Sequence, residues 1–251
     1  MSREFEPIIR TPMISPHVLG KCDEVAEMEN RGEGWGVMHR GYEEYNKIYR
    51  KISGKSLDSF IRMRSLTRKS TTVLDLMGYG QIATDMRERH IPVSWGYSVS
   101  LGYPVEHFRG KRFAPHDNDV NISGNVLDVR TWDRLHEDME NRSVDKFALG
   151  IWMPIAGLER RYVTGSIDVY NNLMERAFDL ISDNNGVLLA QIPGWIHLYH
   201  EDSYRRWIHD LEAESNPWER QFCRFGRDYG GDNMILLQKS SNHPFVPRII
   251  E

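Results

Sequence analysis

Cysteine is scarce in this chain of 251 residues, since Cys22 and Cys223 are the only two and lie far apart. That excludes a disulfide framework and any zinc site built from cysteine alone, and we expect no metal site. The sequence has no run of about 18 apolar residues, and its first residues contain no apolar signal core. The net charge of -4 gives no overall field that would attract nucleic acid or acidic membranes. We therefore expect a cytoplasmic protein with no membrane partner.

The first 70 residues differ in character from the rest. Residues 1–38 are rich in proline and glycine and predict an irregular arm, whereas the window Arg40–Lys69 carries nine Lys or Arg against three acids, which leaves +6. Tyr42, Tyr45 and Tyr49 recur in this window at helical spacing, which predicts a helix with one packed face. The basic residues either form a solvated face lying against an acidic body or contact RNA or another anionic partner. We expect residues 1–70 to form an arm with a basic helical extension.

The clearest local pattern is the stretch Thr71–Ala83. A short apolar run ends at Asp75. Gly78 and Gly80 then mark a turn, and an amphipathic segment begins at Gln81. This order predicts a buried strand, a tight turn and a helix. Glycine lets backbone approach a ligand closely, and the N–H groups that begin a helix are unpaired. Such turns commonly hold nucleotide-like ligands in open α/β sheets, the alternative being an ordinary strand-to-helix turn.

From residue 71 onward, short apolar runs alternate with segments of helical period. The predicted strands are 72–76, 92–97, 125–129, 146–152, 187–192, 219–225 and 233–239. The predicted helices are 81–89, 132–140, 167–182 and 200–214. This alternation predicts one α/β domain over residues 71–251, with a mostly parallel sheet covered by helices on both faces. The last two strands have no helix between them and should pair as an antiparallel hairpin.

This order resembles the class I S-adenosylmethionine-dependent methyltransferase superfamily, whose Rossmann-like seven-stranded sheet ends in an antiparallel hairpin. The resemblance covers about residues 70–240 and rests on four segments, Val73–Gly80, Gly96–Ser100, Asn125–Val129 and Leu180–Gln191. It implies S-adenosylmethionine as the cofactor and methyl transfer to an unidentified acceptor, either RNA or a small molecule. No narrower subfamily is indicated.

The resemblance also implies a set of cofactor-binding residues. They are Asp75, Met77, Gly78, Gly80, Ser98, Leu127, Asp128 and Val129. Asp75 would attract the ammonium group of the cofactor, and Asp128 would accept the adenine N–H with its apolar neighbours against the ring. The alternatives are that Asp75 only bonds a turn N–H and that Asp128 only caps the following helix near Thr131.

Two positions depart from the family pattern. Met77 stands where the family usually has the first glycine of its turn, so the turn must be built differently or displaced by one residue. Ser98 stands where the family usually has an acid that grips both ribose hydroxyls. Both departures also fit a methyltransferase-like binding or scaffold protein without catalytic activity.

In this fold the acceptor lies past the end of the fourth strand, so Trp152, Met153 and Pro154 are the candidate substrate-binding residues. Trp152 would stack a flat acceptor, the alternative being that it is part of the core. No catalytic residue is assigned, and the candidate bases are His107, His116, His197 and His200.

A further alternative is a short-chain dehydrogenase, because Gly78 to Ala83 also fits the dinucleotide fingerprint Gly-x-Gly-x-x-Ala. That class needs Tyr-x-x-x-Lys after the fifth strand, whereas Tyr199 and Tyr204 are followed at that spacing by Ser203 and Ile208. The methyltransferase interpretation is therefore favoured.

Overall fold

The structure is a computed structural model that describes residues 41–78, 80–100, 107–108, 111–112, 116–152, 167–212, 223–227, 233–240 and 244–250. The strands are β1 Val73–Leu76, β2 Gly96–Ser100, β3 His107–Phe108, β4 Lys111–Arg112, β5 Asp119–Ser123, β6 Leu149–Trp152, β7 Asn184–Ile192, β8 Cys223–Arg227 and β9 Asn233–Ser240. The helices are α1 Tyr42–Ser53, α2 Leu57–Leu66, α3 Gln81–Glu88, α4 Val129–Asn141, α5 Ile167–Asp179, α6 Gly194–Tyr199 and α7 Glu201–Glu212.

Seven strands form one sheet in the order β5-β2-β1-β6-β7-β9-β8, and β3 pairs with β4 separately. The strands from β5 to β7 in that order are parallel to one another, whereas β9 runs antiparallel to both β7 and β8. Counted along the chain without the small β3–β4 pair, the sheet reads 3-2-1-4-5-7-6. The predicted Rossmann-like sheet with an antiparallel C-terminal hairpin is therefore confirmed.

Strand β2 lies further along the chain than the sequence predicts. The prediction over residues 92–97 is wrong for its first four positions, because β2 begins at Gly96. Ser94 instead uses its backbone N–H to bond the Thr71 hydroxyl. Gly96 permits close packing where the strand begins, since a Cβ there would lie 2.4 Å from the Ala83 side chain.

The third parallel strand is also displaced, and the predicted strand over residues 125–129 is wrong. The strand is β5, and residues 125–129 form a turn and the first residue of α4. Two local bonds explain the difference: the Asn125 side chain accepts the Leu127 N–H at 2.9 Å, and Asp128 accepts the Arg130 N–H at 2.9 Å. Short polar side chains of this kind compete with the hydrogen bonds of a sheet ladder.

Two apolar layers cover the sheet. On one face α4, α5 and α7 pack around Leu74 and Leu76, and on the other α1, α2 and α3 pack around Val73. Because successive side chains of a strand point to opposite faces, Asp75 shares the face of Val73 and lies under the start of α3. The sheet thus places a buried carboxylate directly beneath the turn that follows β1.

The basic window folds onto the second face of the sheet. Tyr42, Tyr45 and Tyr49 on α1 are all buried in the cluster that includes the β1 and β7 residues Val73 and Leu189. The predicted packed face of this helix is confirmed, whereas the domain boundary at residue 70 stays a prediction. Among the helices described, none combines the length and the apolar character needed to cross a membrane.

Candidate functional site

Among the described residues of the turn after β1, two lie in the left-handed region. Met77 has φ of 69° and Gly80 has φ of 74°. An L-residue with a side chain pays roughly 1–2 kcal/mol for that conformation, which is why glycine is usual there. Met77 therefore adopts the glycine conformation at the position where the resemblance places glycine, and its side chain is buried in the core. The turn therefore has methionine in place of the usual glycine, with a left-handed backbone at this position.

Gly78 lies directly against the carboxylate of Asp75. A Cβ added to Gly78 would fall 2.1–2.3 Å from the carboxylate atoms, a distance that no side chain tolerates. Asp75 Oδ2 in turn accepts the backbone N–H of Gly80 at 3.1 Å. The turn is therefore closed around Asp75. The hydrogen bond from a turn N–H, which is the alternative role of Asp75, is present.

Three polar residues lie side by side across neighbouring strands, and we call them the polar row: Asp75 on β1, Ser98 on β2 and Asn121 on β5. The strand register pairs Asp75 with Ser98 and Ser98 with Asn121. Ser98 Oγ donates to Asn121 Oδ1 at 2.9 Å, and a Cβ on Gly80 would lie 3.1 Å from Ser98 Oγ. The glycine turn therefore lies directly against the polar row.

Asn121 is the member of the polar row that sequence reasoning missed. Its Oδ1 also accepts the hydroxyl of Ser100 at 3.3 Å, whereas its buried Nδ2 has no hydrogen-bond partner among the described residues. A buried amide nitrogen without a partner is uncommon and points to a ligand or an ordered water. The alternating pattern Asp119-Val-Asn-Ile-Ser123 was the available signal, because it is a strand pattern with polar residues on one face.

Asp75 carries the unusual electrostatics of the site. Its exposed fraction is 6%, and burial raises the pKa of its carboxyl to about 7, against the smaller opposing effect of the hydrogen bond from Gly80. Within the described residues no Lys, Arg or His forms an ion pair with it. A cationic ligand group placed beside Asp75 would stabilise its ionised form.

The strand order decides the fold. An open sheet of order 3-2-1-4-5-6 is the Rossmann arrangement, and here one antiparallel strand is inserted between the last two. The sheet is Rossmann-like, with the antiparallel C-terminal hairpin that the resemblance to class I methyltransferases implies.

Comparisons with known proteins add likenesses in structure only. No family model matches the sequence, and no curated protein matches it. Similar solved structures include the MycE methyltransferase from the mycinamycin biosynthetic pathway in complex with Mg, SAH and mycinamycin VI (14% identity, TM-score 0.39, 80% of this chain, 47% of MycE). Another is the N-methyltransferase NodS from Bradyrhizobium japonicum WM9 (10% identity, TM-score 0.36, 73% of this chain, 94% of NodS). A third is a putative hemolysin from Streptococcus thermophilus (11% identity, TM-score 0.37, 74% of this chain, 67% of that protein). The chain spans about half the length of MycE.

Asp128 is the N-cap of α4. Its carboxylate accepts the backbone N–H of Arg130 at 2.9 Å and the Arg130 Nε–H at 2.9–3.0 Å. These hydrogen bonds from Arg130 hold the pKa of Asp128 below its usual range. Leu127 is fully buried and Val129 begins the helix. The helix-cap role of Asp128 is present, and contact of these three residues with adenine stays a prediction.

Trp152 ends β6 at the same edge of the sheet as the turn. It is buried, and Tyr170 stacks on it with a ring-centroid distance of 5.1 Å and an interplanar angle of 26°. Trp152 is therefore part of the core, and its stacking on an acceptor stays a prediction. Met153 and Pro154 lie outside the described residues.

The candidate histidine bases are dispersed. His116 is exposed and precedes β5, which puts it at the amino ends of the strands, away from the glycine turn. His200 follows α6. The described part of the structure does not include the side chains of His107 and His197.

Proposed function

We propose that this chain binds S-adenosylmethionine at the glycine turn and transfers its methyl group to an acceptor by in-line displacement. The observation that carries the proposal is the polar row directly beneath that turn, at the carboxyl end of β1. In open α/β sheets ligands bind outside the carboxyl ends of the strands, where the order reverses, and here it reverses at β1.

The amino-acid part of the cofactor matches the surroundings of Asp75. A buried carboxylate without a cationic partner among the described residues is unfavourable, and the α-ammonium of the cofactor would supply the missing positive charge. Gly78 and Gly80 present backbone without side chains, which leaves room for close approach. Asp75 would thus hold the ammonium, directly or through water, while the turn bounds the sulfonium centre.

The ribose matches the other two members of the polar row. Ser98 Oγ donates to Asn121, and its lone pairs can still accept a hydrogen bond from one ribose hydroxyl. The buried Nδ2 of Asn121 can donate to the oxygen of the other hydroxyl. A serine and an amide would therefore replace the single acid that the family usually places here.

The cofactor brings a methyl group already activated by its sulfonium, so the main task of the protein is positioning. Holding donor and acceptor in line accounts for most of the rate in reactions of this kind. The polar row and the glycine turn would fix the donor. A base is needed only where the acceptor must lose a proton, and we assign none.

The acceptor we propose is RNA or a small molecule, with an anionic partner contacting the basic window. Among the described residues of the window, 41–69, the exposed cations are Lys47, Arg50, Lys51, Lys55, Arg62, Arg68 and Lys69. The three tyrosines of α1 are buried, so the window offers charge to an anion but not these rings for stacking bases. Contact with RNA through this surface would accordingly depend steeply on salt.

Calorimetric titration with S-adenosylhomocysteine and NAD(H) tests the cofactor assignment. We expect saturable binding of S-adenosylhomocysteine at micromolar concentration, with Asp75→Ala and Ser98→Ala each weakening it at least tenfold. The exposed carboxylate Asp117, at the opposite end of the sheet, provides the control variant Asp117→Ala, which should bind as the parent does.

Absence of S-adenosylhomocysteine binding below millimolar concentration would refute the proposal, and saturable NAD binding would favour a dehydrogenase. If the cofactor binds, incubation of a panel of RNA and small-molecule acceptors with radiolabelled S-adenosylmethionine tests the transfer step. Binding without transfer to any acceptor would support a binding or scaffold protein instead.

A further inference from the structure

A cavity lies at the end of the sheet opposite the glycine turn. It has a volume of about 760 Å³ and lies between α1, α2 and the amino end of β7, with β9 beside it. Asn184 and Val187 bound it on β7, and Leu236 and Gln238 bound it on β9. Its volume is in the range of sites that hold small organic molecules.

The charged residues that line this cavity are all cationic. They are Lys55, Arg64 and Lys69, and no acid is among the described lining residues. Lys55 and Lys69 are exposed, and neither forms an ion pair within the ranges that the structure describes. Three cationic side chains lining one cavity, with no acid among the described lining residues, make its local potential positive, which favours an anionic ligand.

Arg64 is a buried cation whose described partners are all neutral. Its exposed fraction is 5%, and its guanidinium donates to the carbonyls of Ser70 and Asn184, each at 2.8 Å, and to the Ser182 hydroxyl at 3.4 Å. Burial lowers the pKa of Arg64, so its charge is unfavourable there. These bonds fix the guanidinium in the cavity wall and use three of its five N–H groups, so two have no hydrogen bond to the described residues.

The rest of the wall is mixed in character. Ser53, Ser59 and Thr67 supply hydroxyls, and Phe60 and the largely exposed Met63 supply apolar surface. A bare inorganic anion would leave this apolar wall uncovered, whereas an organic group attached to a phosphate would cover it. An Arg and two Lys around one cavity are the side chains that recognise phosphate oxygens.

We propose that this cavity binds a phosphate-bearing small organic molecule, with its phosphate among Lys55, Arg64 and Lys69 and its organic part against Phe60 and Met63. This site is separate from the proposed cofactor site. It gives a specific role to Lys55 and Lys69, two of the exposed cations of the basic window.

The test is calorimetric titration of the full chain with AMP, adenosine and inorganic phosphate. The test variant is Lys55→Ala/Lys69→Ala, which leaves the structural Arg64 in place. The matched control is Lys47→Ala/Arg50→Ala, which removes the same charge from exposed positions of α1 outside the cavity lining. We expect AMP to bind saturably, at least tenfold more tightly than adenosine or phosphate alone. We expect the test variant to lose at least tenfold in AMP affinity and the control to stay within twofold of the parent.

Three results would overturn the proposal. One is no saturable AMP binding up to several millimolar. Another is equal binding of adenosine and AMP, which would show that the phosphate is not recognised. The third is a failure of the variants to differ in AMP affinity. Unchanged affinity in the test variant would place the ligand elsewhere, and an equal loss in the control variant would show a general effect of charge.

Discussion

Replacing Asp75 by asparagine should make the protein more stable at neutral and alkaline pH. In the folded chain burial raises the pKa of Asp75 to about 7, whereas an unfolded aspartate titrates near 3.9. The folded state therefore holds the proton more tightly between these two values. By linkage, the free energy of unfolding falls as pH rises from about 4 to about 7 and stays low above that.

The size of the effect follows from the shift. Three pKa units at 1.36 kcal/mol each give about 4 kcal/mol of stability that is present at pH 4 and lost by pH 8. Asparagine cannot ionise, yet its side-chain oxygen can still accept the Gly80 N–H. We expect Asp75→Asn to match the parent near pH 4.5 and to exceed its stability by roughly 2–4 kcal/mol at pH 8.

Urea unfolding of parent and variant from pH 4.5 to pH 8.5 measures this difference. Subtracting one curve from the other removes the titration of all shared groups. Asp117→Asn, at an exposed position, is the matched control variant. Parallel pH profiles for Asp75→Asn and the parent would refute the claim that Asp75 is a buried, unpaired carboxyl.

Two other substitutions probe the packing that holds the site. Gly78→Ala should destabilise the protein, because its methyl group would overlap the Asp75 carboxylate. A double-mutant cycle with Asp75→Gly should show a coupling free energy of about 1–3 kcal/mol. Additive effects of the two substitutions would contradict the contact between Gly78 and Asp75. Asp119→Ala should lower the free energy of unfolding in urea by about 3 kcal/mol, because it leaves the largely buried Arg87 without its carboxylate partner. The control Asp117→Ala, at an exposed position, should lower it by under about 0.5 kcal/mol. Equal small effects of the two variants would contradict the pairing.

The fold was predictable because the period of the apolar residues survives in nearly every element. The alternation of strands and helices, together with the last pair of strands without an intervening helix, was enough to predict a mostly parallel sheet that ends in an antiparallel hairpin. The sheet confirms both features. The exact strand bounds were less predictable, since apolar runs such as residues 125–129 also suit a turn followed by a buried helix start.

The site was only partly predictable because two of its features depend on contacts that exist only in the folded chain. Asn121 meets Ser98 only through the β2–β5 register, and no local spacing in the sequence reveals that pair. Met77 is also instructive, because sequence rules reserve its left-handed conformation for glycine. Burial of its side chain offsets the conformational strain, and such packing is visible only in three dimensions.

The central claim is that the cofactor's ammonium lies against Asp75 on the polar row. Its most direct test is the dissociation constant of S-adenosylhomocysteine at pH 6, 7 and 8, for the parent and for Asp75→Asn. A ligand ammonium favours the ionised carboxylate, so we expect the parent to bind more tightly as pH rises, approaching tenfold per unit below pH 7. Asp75→Asn should bind more weakly at pH 8 and show little change with pH. No saturable binding, or equal affinities of parent and variant at all three pH values, would contradict the claim.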